Sequence, residues 1–410
     1  MSLASSGIKL PDCSVPRPPE GAAVSRPSKN PLYTLAFLLV LVSLVFLAAC
    51  APEEPSDADS APQQLVESVD SHEIAAPADA AEIASPAPAA TDAAPTEIPP
   101  RPVVESPYAD RFATDGEVSV MTFNVHQYGL RADPGDPAIL VPKPPPEAAA
   151  IVETIRLASP DILVLQEMGG PDAWAEFRFR LREAGLTAYA YDAYLRRGRH
   201  DLNLALLSRY PIVANNSHVD DTYTIGPAQF PVMRGFLDVV IQVSPTYSLH
   251  ILGAHLKSKV FHSFGSPEMR RNEARLLGNH VRNALRENPD DNLIVLGDFN
   301  DDFSSAPLRN ITKDKSHPIL FDLRPTDASG AAWTHRDASD TYTRIDYILV
   351  SDGLLPEAIP EKLYIPEALH LPIASDHRPL VATFVAADRS PDAPLLDIST
   401  RLPPSLPTND

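Results

Sequence analysis

Six short stretches carry carboxylates, carboxamides and imidazoles suited to metal-binding or acid–base chemistry: Asn124 in TFNV, Glu167 in LQE, His255 in AHLKSK, Asp298 and Asn300 in VLGDFND, Asp346 in RIDYILVS, and Asp376 with His377 in SDHRP. Each lies beside an apolar, strand-like run. A lone Asp or Asn after a strand is usually a turn residue or a helix cap. A lone His is more often a hydrogen-bonded structural residue than a catalyst. Six such sites in one chain, mixing carboxylates, carboxamides and imidazoles, are hard to explain as turns. A buried carboxylate is costly unless a metal, a cation or a donor pairs with it. Carboxylate oxygens hold hard cations, amides and protonated imidazoles bind anionic oxygens, and a carboxylate can position water.

The elements that would position them follow from pattern. EVSVMTFNV (117–125), DILVLQEM (161–168), LALLSRYPI (204–212, broken at Pro211), GFLDVVIQV (235–243), SLHILGAHL (248–256), NLIVLGDFN (292–300), RIDYILVS (344–351) and SDHRPLVATF (375–384) read as strands. The Pro-led stretch 143–160, DAWAEFRFRLREAG and PEMRRNEARLLGNHVRNALREN read as helices. Strand ends present side chains to a cleft without burying them in the core. Asp298 and Asn300 are two apart, so a strand places both on one face. The mixture predicts a layered α/β fold, sheet on sheet with helices outside.

Composition divides the chain. Residues 1–49 form a leader in which Lys29 precedes the apolar run Leu32–Ala49. A membrane span is one reading of that run. LAAC (47–50) resembles the lipobox of bacterial lipoproteins, which implies cleavage before Cys50, lipidation of Cys50 and, with Ala51 next, outer-membrane sorting in the cell envelope. Only Cys13 and Cys50 exist, so a chain cleaved there has no disulfide. Residues 50–116 are rich in Ala, Pro and acids and read as a linker. They hold more than half of the net charge of −20, with Arg101 and Arg111 as bases. The domain is expected at 117–387, and a Pro-rich tail at 388–410. The mildly acidic domain argues against a protein that hugs nucleic-acid backbones non-specifically. Arg196, Arg197, Arg199 and His200, and Lys257, Lys259, Arg270 and Arg271, are solvated charge or a phosphate-contacting rim.

Taken in order, TFNV, LQE, AHLKSK, GDFND, RIDYILVS and SDHRP resemble the motifs of the endonuclease/exonuclease/phosphatase superfamily, the deoxyribonuclease-I-like fold, over about residues 118–386. The resemblance implies a four-layered α/β sandwich, two mixed β-sheets face to face flanked by helices. It implies Mg²⁺ or Mn²⁺ held by Glu167, with Asp376 a second acid near the metal. It further implies Asn124 and Asn300 as phosphate-site amides, and Asp298 as the group orienting or deprotonating water. His377 would be the catalytic imidazole oriented by Asp346, and His255 the acid for the leaving oxygen. The substrate would be a phosphate ester, whether nucleic acid, phospholipid head group or small phosphate ester. The membrane is reached through the lipid anchor, and no protein partner is implied. An inactive binding module on the same fold is the competing reading, against which the intact site residues stand.

Overall fold

The computed structural model describes residues 98–132, 135–136, 139–197 and 202–389. Two sheets carry the fold. In the first, β1 (Glu117–Tyr128) pairs parallel with β2 (Ile162–Met168) and antiparallel with β11 (Leu380–Val385), and β4 (Asn203–Ser208) joins β2 to β3 (Tyr191–Leu195). The order is β11-β1-β2-β4-β3. In the second, β7 (Tyr247–His255) lies parallel to β8 (Leu293–Asp298), between antiparallel neighbours β6 (Leu237–Ser244) and β10 (Asp346–Val350). The edges are β5 (Ile212–Asn215) and the two-residue β9 (Phe321–Asp322), giving the order β9-β10-β8-β7-β6-β5.

Side chains alternate across each strand, and the alternation sorts three cores. Val118, Val120, Ile162, Val164, Leu204 and Leu206 of the first sheet share one cluster with Leu249, Ile251, Ile294, Leu296, Ile348 and Val350 of the second. Those are the facing surfaces. The residues between them point outward. Met121, Phe123, Leu163 and Leu165 pack under α1 (Pro145–Ala158) and α2 (Pro171–Glu183). Leu252, Ala254, Val295 and Leu349 pack under α3 (Ser266–Glu287) and α4 (Ala306–Thr312). Helix, sheet, sheet, helix make four layers, as expected.

The sequence run LALLSRYPI is not one strand. Its first part is β4 of the first sheet and its end, from Ile212, opens β5 of the second. Pro211 has no N–H for a ladder, and the chain crosses between the sheets there. The linker boundary also shifts. Arg101 donates to both oxygens of buried Asp161 (2.9 and 3.1 Å), Ser106 Oγ donates to the Leu157 carbonyl, and Tyr108 stacks on Tyr364 at 5.2 Å. Residues 98–116 are thus held on the domain, because three anchors to distant parts of the chain offset their ordering entropy. Asp388 and Arg389 are held too, by Asn292 and Glu357. Among the described residues no helix is long and apolar enough to cross a membrane. The apolar run, Cys50 and most of the expected linker and tail lie outside the described residues.

Candidate active site

The inner faces of four central strands are apolar along most of their length and turn polar toward one end. Val118 and Val120 lead, through Thr122, to Asn124; Ile294 and Leu296 lead to Asp298; Ile348 and Val350 trail Asp346; Leu249 and Ile251 lead to His255. Register brings these ends together. His255 stands opposite Asp298, and Asp298 opposite Asp346. The site is therefore the polar cap of the inter-sheet core.

Local backbone completes the placement. Gly297 has φ +130°, and a Cβ there would sit 2.0 Å from the Ala254 carbonyl oxygen, so only glycine fits between β7 and β8 at this point. Glu167 has φ +64°, which breaks the alternation of β2 and lets its side chain reach Asn124. His126 and Gln127 are left-handed as well. The Gln127 N–H donates to Glu167 Oε2 at 2.9 Å.

Asn124 is the hub. Its Nδ2 donates to Asp298 Oδ2 (3.1 Å) and to Glu167 Oε1 (3.3 Å), and lies 3.5 Å from His377 Nε2. Its Oδ1 accepts the His126 N–H. His377 Nδ1 lies 2.9 Å from Asp346 Oδ2, and both groups are buried. Burial opposes charge on His377, but Asp346 and then Asp298 override it and raise the imidazole, which is therefore charged at neutral pH. Asp298 is also buried. Burial and then the charge of Asp346 push it up, against the pull of His377 and the Asn300 N–H.

Asn300 lies past the end of β8 with φ +54°, so alternation does not place it beside Asp298. Its N–H donates to Asp298 Oδ1 (2.9 Å) and its Nδ2 to the Leu256 carbonyl (3.1 Å), so in this arrangement it steadies the loop. His255 lies 3.5 Å from Asp298 Oδ2 and 3.8 Å from Glu167 Oε1. Burial, with Arg234, His377 and Lys257 nearby, holds its ring well below its usual range. The ring lies beside both carboxylates. Asp376 is half-exposed, between His126 Nδ1 (3.4 Å) and His335 Nε2 (3.8 Å), and no contact joins it to Glu167 among the described residues.

Sequence reasoning missed Ser375 and His335. Ser375 Oγ donates to the Asn124 carbonyl (2.8 Å) and accepts the His377 N–H (3.0 Å), tying β1 to the loop that carries His377. Its signal was its place two residues before His377. His335 stands 4.7 Å from the His377 ring, brought there by an isolated bridge between the two residues. No strand pattern marks it.

Glu167 and Asp298 turn one oxygen each toward the same amide, in a buried setting short of positive charge. Oxygen donors in such a deficit fit a hard divalent cation. When bound, such a cation would supply charge neutralisation for a phosphoryl group. Beside the site lies a cavity of about 800 Å³, whose wall includes His126, Trp333, Leu371, Ile373 and Asp376.

Solved structures similar to the chain include these three. Truncated TDP2 of Caenorhabditis elegans is 17% identical with a TM-score of 0.46, covering 66% of this chain and 98% of its own. The endonuclease/exonuclease/phosphatase protein of Beutenbergia cavernae is 18% identical (TM-score 0.46; 66% and 72%), and the human Nocturnin catalytic domain with bound sulfate 20% (0.46; 66% and 94%). No curated protein matches the chain. The model of the Endonuclease/Exonuclease/phosphatase family matches residues 121–377, well over half of the chain. Members of that family generally hydrolyse phosphate esters with divalent metals, and this chain belongs to it.

Proposed function

We propose that the protein is a divalent-metal-dependent phosphodiesterase of the bacterial cell envelope, acting on diesters that carry a single phosphate. The carrying observation is the contact set Asp346–His377–Asn124–Asp298 under the Glu167 carboxylate. The His377 imidazolium, fixed through Nδ1 by Asp346, turns Nε2 toward the phosphate position as a charged donor. Asp298, raised and buried, accepts a proton from water at that position. Asn124 holds the carboxylates apart and in place.

The neighbouring cavity supports a diester, since it has room for a second substituent. Its wall disfavours a nucleic-acid strand. Arg336 and Arg378 there are engaged by Asp340 and Asp327, while Asp337, Glu367 and Asp376 add further negative charge. Successive backbone phosphates would meet repulsion. The envelope address rests on LAAC and Cys50, and labelled palmitate entering the wild type but not Cys50→Ser would check it.

The test is turnover with Mg²⁺ or Mn²⁺ of a chromogenic phosphodiester, a phospholipid and single-stranded DNA. The first two are expected to turn over faster than DNA, and chelator is expected to abolish the activity. Faster DNA cleavage would overturn the single-phosphate reading. Full activity in excess chelator, or no turnover of any phosphate ester, would overturn the whole proposal.

A further inference from the structure

The outer face of the second helical layer carries a charge cluster that the catalytic site does not use. Arg275 and Arg282 of α3, Arg309 of α4, and Lys313 and Lys315 of the ribbon that follows α4 converge on a cavity of about 470 Å³. The lining holds one carboxylate, Asp314. Among the described residues none of the five cations forms an ion pair with a carboxylate. Elsewhere in this acid-rich chain several arginines have such partners: Arg101 and Arg209 on Asp161, Arg270 on Asp301, Arg344 on Asp322, Arg378 on Asp327. With 54 acidic against 34 basic residues, carboxylates are not scarce. Five unneutralised cations around one concavity raise each other's energy and concentrate a positive potential there.

The frame that holds them is rigid. A Cβ on Gly278 of α3 would meet the Asn310 carbonyl oxygen at 2.1 Å, so α3 and α4 touch backbone to backbone. Arg282 Nη1 donates to that carbonyl (2.9 Å) and to the Lys313 carbonyl (3.2 Å), and Nη2 to Asn279 Oδ1 (2.9 Å). Arg282 is thus fixed by neutral acceptors that leave its charge uncompensated. Lys315 sits at the ribbon turn with φ +55°. Arg275, Arg309, Lys313 and Lys315 are exposed around it.

We propose that this cavity binds an anion bearing two or more clustered phosphoryl groups, free in solution or on a lipid head group. A single phosphate neutralises fewer charges than converge here, and guanidinium forks match phosphoryl oxygens. A concavity of this size fits a compact polyanion better than a strand, whose phosphates need an extended track. The inference is independent of the catalytic reading.

The test is calorimetry of the full chain with tripolyphosphate, without divalent metal, at an ionic strength of about 0.15 M. One-to-one binding is expected, weakened at least about tenfold in Arg275→Ala/Lys313→Ala and unchanged in His377→Ala. Arg271→Ala/Arg286→Ala, which removes as much charge from the same helix, is the control and is expected to change affinity less than about twofold. Arg275→Lys/Arg309→Lys, which keeps charge, is expected to bind, so loss of fold is not mistaken for loss of the site. Flotation with neutral vesicles carrying a bisphosphorylated inositol lipid separates the sources. Flotation lowered in the Arg275→Ala/Lys313→Ala variant and by tripolyphosphate assigns the lipid; tripolyphosphate binding without such a change assigns the free anion. The proposal is overturned by no binding of either probe, by equal loss in the control variant, by loss in His377→Ala, or by tighter binding of a single-stranded oligonucleotide at these residues.

Discussion

The Asp346–His377 pair ties charge to geometry. Its 2.9 Å contact is buried, so removing either partner leaves the other unmatched. If the pair acts as one unit, His377→Ala and Asp346→Ala each lower kcat by on the order of 10², and the double variant costs little beyond the worse single. Additive losses together with a lowered melting temperature would mean separate structural roles. Normal turnover by folded His377→Ala would remove the residue from the mechanism. The residues of this pair were legible in the sequence because each sits where an apolar run meets an ionisable group. His335 and Ser375 were not, since their roles come from pairings that only the folded chain makes. The shared face expected for Asp298 and Asn300 is absent for a local reason. A left-handed residue after a strand no longer obeys the strand's alternation.

At the level of elements, alternation was the readable signal and crossings were not. Strands such as β1 and β8 announce both their faces and their polar ends. The passage from β4 to β5 looks continuous in sequence, and only Pro211 hints that one run serves two sheets. The segment 98–116 was read as linker because its composition resembles what precedes it. A few long-range contacts hold it, which composition does not record. A chain beginning at residue 98 is therefore expected to keep the melting temperature of the full chain. One beginning at 117 is expected to lose stability, by about 1.5–3 kcal/mol from the charged hydrogen bonds of Arg101 alone. Urea denaturation of the two truncations checks this, and equal stability would return 98–116 to the linker.

For the molecule as a whole, stability carries a pH dependence set away from the active site. His250 lies between Asp291 (2.6 Å) and Asp238 (2.9 Å), and Asp238 also meets His218 (2.9 Å). Burial alone would lower His250, yet its hydrogen bonds to Asp238 and Asp291 raise it to about 9. The folded state thus binds this proton more tightly than the unfolded state, whose imidazole titrates near 6.5. The contribution is full below pH 6.5 and is lost as pH rises through 9, on the order of 2–3 kcal/mol. Denaturant unfolding at both ends of that window is expected to show the loss in the wild type and a smaller one in His250→Gln. An identical slope in the variant would assign it to other groups. Arg101 meets Asp161 at the start of β2, whereas Glu167 stands near its end, roughly 15–20 Å along the strand. The polypeptide thus enters the domain at the end of the sandwich opposite Glu167 and its neighbours. A sensor surface or fusion partner attached ahead of residue 98 would grip the protein by its base and leave the mouth of the cleft facing outward.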